Sequence, residues 1–317
     1  MTHICQSTYK DLEAIEIENE NLRALFLLSQ GCKLASLVCK KTDREILVQS
    51  DGKKYRKMAY SGKYTDAECS GFDDMFPTID EWTYLNHPWK GAVMPDHGEV
   101  CGLPWNSEIV ESGSCLHGWV YGVRFPYRLD KWIRLSSGSE LTIKYEATNL
   151  SPFDMDFIWA GHIMIAAEPG AQIVLPYNDG AVGICVFSAN ENFAKPGDIL
   201  HWPVHWSANS EMVDISRTQI FSTNGNTYKY YFKEKMPQGR CGYAYTDGTT
   251  LIINTSKETV PYLGIWINEG AFKGYQNIAL EPCTGTFDNP CHAIEHGQNS
   301  ILPGNGKYCW QVQIEIM

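Results

Sequence analysis

Four stretches of this chain concentrate residue types able to do acid–base or ligand chemistry. Asp73 and Asp74 lie in Gly71-Phe72-Asp73-Asp74-Met75-Phe76-Pro77-Thr78-Ile79. Asp96, His97 and Glu99 lie in Met94-Pro95-Asp96-His97-Gly98-Glu99-Val100. His162 lies in Trp159-Ala160-Gly161-His162-Ile163-Met164. Asn268 closes Leu263-Gly264-Ile265-Trp266-Ile267-Asn268, and Glu281 lies in Ile278-Ala279-Leu280-Glu281-Pro282-Cys283-Thr284-Gly285. His162 is set among Ile158, Trp159, Ile163, Met164 and Ile165, a run that reads as a core strand. Glu281 follows three apolar residues and precedes Pro282, which predicts a carboxylate at the end of an apolar strand. A carboxylate there is costly to bury unless paired. Such placement raises its pKa and makes it a usable base. Histidine is the matching acid near neutral pH. Each residue also has a plainer reading. A histidine in a strand is commonly a hydrogen-bonded core residue, and a glutamate before proline a strand terminus.

Trp82, Trp105, Trp159, Trp202, Trp206 and Trp266 lie near polar residues and turns. Their rings suit stacking on the apolar faces of sugars, with Asp, Asn and His reading the hydroxyls; they suit filling a sandwich core equally well. Other chemistry is thinly signalled. Cys291, His292 and His296 match no common zinc spacing, and Pro203 interrupts His201 and His205. There is no G-x-S-x-G elbow, no G-x-G-x-x-G and no phosphate-cradling P-loop.

The elements that must position these residues follow period two, the pattern of half-buried strands. Leu141, Ile143, Tyr145 and Ala147 alternate with polar residues, as do Trp310, Val312, Ile314 and Ile316, and Ile15 and Ile17. Residues 228–232 alternate in part, and 25–28, 46–48, 173–175 and 251–253 are short apolar runs. Turn signals such as Asp51-Gly52, Ser137-Gly138, Asp247-Gly248 and Pro303-Gly304-Asn305-Gly306 separate them. Many short strands predict an all-β sandwich or barrel. Short helical turns are expected near 179–182 and 196–200. Residues 55–105 and 191–214 do not fit the strand pattern and are expected to be functional loops or covers. No linker, low-complexity tract or repeat appears, so 1–317 reads as one domain.

The net charge of −11 argues against nucleic acid, which needs clustered cations. No apolar run is long enough to cross a bilayer, and the N-terminus lacks an export signal. The eleven cysteines include no C-x-x-C pair. The expectation is a cytoplasmic protein with reduced thiols, binding neither membrane nor nucleic acid.

Together these segments resemble the aldose 1-epimerase (galactose mutarotase-like) family, in a divergent branch. The resemblance runs from Gln30-Gly31-Cys32-Lys33-Leu34-Ala35-Ser36-Leu37, through Asp73-Asp74-Met75-Phe76-Pro77, Asp96-His97-Gly98-Glu99 and the His162 strand, to Leu280-Glu281-Pro282-Cys283-Thr284-Gly285. The Glu-Pro-x-Thr-Gly segment is its most specific part. It implies a large antiparallel β-sandwich, a supersandwich with an open cleft, and an isomerase that interconverts the anomers of a sugar. Glu281 matches the family base, His162 its general acid in protonated form, and His97 a second, substrate-holding histidine. Asp74 and Asp247 are the candidates for the sugar-binding aspartate. Trp159, Trp266 and Asn268 are expected to line the sugar. The Asn-Arg pair of the best-known galactose mutarotases is missing upstream of the first histidine. No metal or organic cofactor is expected. The partner is a small-molecule sugar, phosphorylated or not; Arg124, Arg128 and Lys131 are candidates for a phosphate. The chain is expected to be a monomer or homodimer. Two alternatives stay open: a non-catalytic carbohydrate-binding protein, or a lyase or hydrolase on a related sandwich. A hydrolase needs two carboxylates about 5–10 Å apart, with Asp73, Asp74, Asp96 and Glu99 as possible second members.

Overall fold

A computed structural model describes residues 2–219 and 226–317. Two large antiparallel sheets, of twelve and eight strands among the described residues, face each other. The alternation read from sequence becomes strands Leu12–Glu18, Glu140–Asn149, Thr227–Phe232, Thr250–Thr255 and Lys307–Ile316. Residues 46–48 form only a bridge, Leu47 with Ile165. The α-helix of the described residues, Pro290–Glu295, is a single short turn capped by the side chain of Asn289, and it lies where no helical periodicity exists to announce it. The stretches read as helical turns, 179–182 and 196–200, are instead turns that lead into strands Val182–Ser188 and Ile199–His201. No helix of the described residues is long and apolar enough to cross a membrane.

The main core lies between the sheets. Ile163, Ile165, Ile265, Ile278 and Leu280 of the larger sheet meet Leu129, Ile133, Ile143, Val312 and Ile314 of the smaller one. Two buried charges cross this core. Asp74 of strand Phe72–Met75 pairs with Lys131 of Tyr127–Leu135 at 2.8 Å, with both side chains 2% exposed. Lys131 also donates to the Cys32 carbonyl at 2.6 Å.

Residues 55–105 are the second structural theme. They cover the opposite face of the larger sheet, where Met58, Tyr64, Cys69, Ile79 and Cys101 pack on Met75, Met164, Tyr231 and Ala279. The cover is tied down by its own motifs. Gly98 (φ +76°) lies against Phe76, where a Cβ would sit 2.2 Å from the Phe76 carbonyl oxygen, so only glycine fits. Glu99 N–H donates to that same oxygen, and His97 N–H donates to the Ile79 carbonyl. The two motifs singled out by composition are thus one packed unit. Residues 191–214, also expected to be irregular, contain the Ile199–His201 edge strand and a hairpin of Val204–Trp206 with Met212–Asp214.

Candidate active site

Strand parity brings His162 and Glu281 together. Strand Ala160–Ala166 runs antiparallel to Gln276–Cys283, with Ala160 opposite Cys283 and Ile163 opposite Leu280. That register places His162 directly opposite Glu281, on one face of the sheet. Period two turns their neighbours Ile163 and Leu280 into the core and these two side chains toward the cover. The imidazole Nε2 lies 3.4 Å from Glu281 Oε1. Glu281 is not at a strand end, as its proline suggested. The strand continues to Cys283, and Pro282 sits within it, opposite Leu263. The carboxylate therefore has strands on both sides and is 0% exposed, with His162 at 7%. The pair is covered rather than set in an open cleft.

The opposite flank supplies a cation. Glu281 faces Gly264 of strand Tyr262–Glu269, which faces Tyr231 of Thr227–Phe232. A Cβ on Gly264 would lie 2.9 Å from the Tyr231 ring, so the glycine leaves room for that ring. Two residues back along the same face, Lys229 reaches across to Glu281 Oε2 at 2.7 Å and to Asp288 Oδ1 at 2.7 Å. Tyr231 hydroxyl donates to the same Asp288 oxygen at 2.6 Å. Above His162, the Tyr64 ring is edge-on at 5.5 Å and itself stacks on His97 at 4.1 Å. His97 lies 6.0 Å from His162 and is hydrogen-bonded to Asp96 at 2.7 Å. Asp96 also accepts the Tyr64 N–H, and Tyr64 hydroxyl donates to Asp73 at 2.8 Å, beside Lys33 at 2.8 Å.

The electrostatics of the pair follow from burial. Burial raises Glu281 above the usual carboxylate range; Lys229 opposes this and Asp288 reinforces it. Burial, the Lys229 ammonium and His97 together hold His162 well below the ordinary histidine value. Burial thus favours the neutral imidazole in the resting site, against the protonated form that the resemblance implies. Burial disfavours the Lys229 ammonium, but its two carboxylate partners outweigh this and keep it protonated. His162 Nδ1 and both Glu281 carboxylate oxygens are buried without a hydrogen-bond partner among the described residues, Oε2 meeting Lys229 as an ion pair. Such unpartnered buried polar atoms mark where an incoming polar group would be bound.

The structure brings His97 into this cluster and puts Trp266 on the same face, opposite Lys229 in register and stacked on Phe187. The other expected ligands go elsewhere. Asp74 is one residue out of phase: opposite Gly161, it points into the core to Lys131 and the Trp159 indole N–H, while Asp73, opposite His162, shares the site face. Trp159 is fully buried in the core against Tyr145 and Trp310. Asn268 shares the face, but its amide is consumed by Phe272, Asn277 and Thr227 and serves as a turn brace. Asp247 lies on a hairpin of the other sheet, in a partly exposed pair with Arg44. The phosphate candidates all have partners of their own. Lys131 is held by Asp74, Arg128 by Asp130, and Arg124 by the Val93 carbonyl and Ser61. Lys229 and Asp288 are absent from the sequence-based set. The available signal was a lone lysine on the inward phase of Tyr228-Lys229-Tyr230-Tyr231-Phe232, where a surface strand would alternate more cleanly.

No protein-family model matches the chain, and no curated protein is similar to it in sequence. Solved structures are similar over nearly its whole length. A galactose mutarotase-like protein from Clostridium acetobutylicum superposes with TM-score 0.70 at 12% identity, covering 100% of this chain and 98% of that one. The chain has the galactose mutarotase-like fold. Two further structures agree. A galactose mutarotase related enzyme from Lactobacillus acidophilus gives TM-score 0.64 at 14% identity, covering 96% and 97% of the two chains. A galactose mutarotase-like protein from Lactobacillus casei gives 0.64 at 16%, covering 96% and 100%. In this mutarotase-like sandwich the His162–Glu281 pair lies on the larger sheet, on the face turned away from the smaller one.

Proposed function

We propose that the protein is a sugar 1-epimerase in which Glu281 is the base and His162 the proton-donating partner. One observation carries the reading: Glu281 Oε1, a buried carboxylate oxygen without a hydrogen-bond partner, lies 3.4 Å from His162 Nε2 on the adjacent strand. The anomeric hydroxyl and the ring oxygen of a sugar are attached to the same carbon. An acid and a base that serve both must lie within a few ångström of each other, as these do. Glu281 takes the hydroxyl proton as the C1 to ring-oxygen bond breaks and the C1 carbonyl forms. His162, protonated as the sugar binds, gives its Nε2 proton to the ring oxygen and returns to the neutral imidazole. Rotation about C1–C2 and the reverse transfers close the ring on the other face. Burial favours that neutral product and so makes the protonated form a ready acid. Each transfer contributes on the order of 10²–10⁴-fold.

A glycosidase reading fits less well. A second carboxylate joined to the pair through Lys229, Asp288, is tied to that ammonium and to Tyr231 hydroxyl as an acceptor, whereas a glycosidase acid must donate. Sugar entry requires the cover to part where the site already meets solvent, at His97 and Asp96 (18% and 30% exposed) or at Asp288 (15% exposed). A cytoplasmic setting suits the eleven cysteines, none of them in a disulfide. The test is exchange NMR between the α and β anomers of a panel of free and phosphorylated sugars, with and without protein. Exchange above the spontaneous rate for at least one sugar is expected. Binding without accelerated exchange would leave a carbohydrate-binding protein in its place.

A further inference from the structure

Lys229 is the one lysine or arginine in contact with Glu281 among the described residues, and its position makes the two carboxylate oxygens unequal. Oε2 faces the ammonium at 2.7 Å, whereas Oε1 faces His162 at 3.4 Å. The ammonium is itself held from the far side by Asp288, which Tyr231 hydroxyl braces at 2.6 Å. Lys229 is 7% exposed, so this bridge is not a surface pair that solvent can dissolve. We propose that Lys229 is a positioning residue for anomeric proton transfer, pinning Glu281 by Oε2 so that Oε1 is presented to the sugar hydroxyl, with Asp288 as the anchor of Lys229. This rests on the epimerase reading of the same site.

The physical reason is the cost of an ionised carboxylate in a dry pocket. Burial pushes Glu281 toward its protonated, catalytically silent form, and a fixed ammonium is the device that offsets this. It also removes rotational freedom from the base, and a misplacement of 1 Å costs about 10²-fold in rate. The other charged and titratable groups around Glu281 are His162 on the neighbouring strand, Asp288 and Cys283 downstream, and Tyr231 across Gly264. From the cover come His97, Asp96 and Asp80, with Lys33 and Asp73 beyond His162. None of these supplies a second ammonium to Oε2.

The experiment uses the full chain and reads the Glu281 carboxyl directly, by 13C NMR titration of glutamate-labelled protein without substrate. The pH profile of anomer exchange is measured in parallel. In Lys229→Met the Glu281 midpoint and the acid limb of the profile move up by about 1–3 pH units. The turnover number falls about 10²-fold with KM little changed. Lys229→Arg restores most of the limb. Asp288→Asn releases the ammonium from its anchor, so the turnover number falls with KM little changed. A folded Lys229→Met with an unmoved midpoint overturns the assignment. If that variant does not fold, an Asp288→Asn protein with the wild-type turnover number overturns it instead. A wild type that exchanges no sugar overturns the epimerase reading, and that failure is distinguishable because the carboxyl titration needs no substrate.

Discussion

Glu281→Gln separates chemistry from architecture, because the amide keeps the shape of the side chain and removes only its basicity and charge. The stability cost is set by what Lys229 loses. A buried charge stripped of its partner costs about 3–5 kcal/mol. Here Asp288 remains at 2.7 Å, so the ammonium keeps one of its two carboxylates. The loss should therefore be nearer that of a single buried polar partner, about 1–3 kcal/mol. The rate cost is of another order. Without a base the variant forfeits the general-base contribution, about 10²–10⁴-fold, and exchange falls toward the spontaneous rate. Both quantities are measurable on one sample: urea unfolding followed by tryptophan fluorescence, and anomer exchange by NMR with the uncatalysed rate subtracted. The expected result is a cooperative transition at somewhat lower urea with catalysed exchange abolished. A folded Glu281→Gln protein that exchanges anomers at close to the wild-type rate would refute the role of this carboxylate, and with it the proposed mechanism.

Three other perturbations probe separate parts of the same account. Lys131→Met strands Asp74 in the core and should lower stability by about 3–5 kcal/mol, whereas a double variant with both members apolar should recover most of the loss; equal urea midpoints for wild type and the single variant would contradict this. His162 titrates well below its ordinary value when folded, so its contribution to stability is present above about pH 6.5, the unfolded value, and is lost as pH falls below it. The stability gap between wild type and His162→Asn should therefore narrow from neutral toward acid pH, and a gap that widens would reverse the assigned sign. Asp247→Asn, on the far hairpin, should leave anomer exchange unchanged; a loss of activity would return that residue to the list of sugar ligands.

The sequence by itself determined the architecture and the side to which one candidate pair turns. Period-two alternation in 141–148 and 310–316 is a local property, set by which face of a pleated strand meets the core, so it survives into Glu140–Asn149 and Lys307–Ile316. The same parity, anchored on Ile163 and Leu280, turns His162 and Glu281 to one side. What sequence could not settle was decided by register and by distant chain. Asp73 and Asp74 are adjacent and chemically alike, and only pairing with Gly161 and His162 sends one into the core and the other to the site. Trp159 looked like a sugar platform until the packing of two sheets enclosed it between Tyr145 and Trp310. Lys229 and Asp288 lie 52 and 7 residues from Glu281 in sequence, and their meeting at one carboxylate exists only once the strands are ordered side by side. Ion pairs of this kind depend on through-space distance in a dry interior, a quantity that residue order alone does not carry.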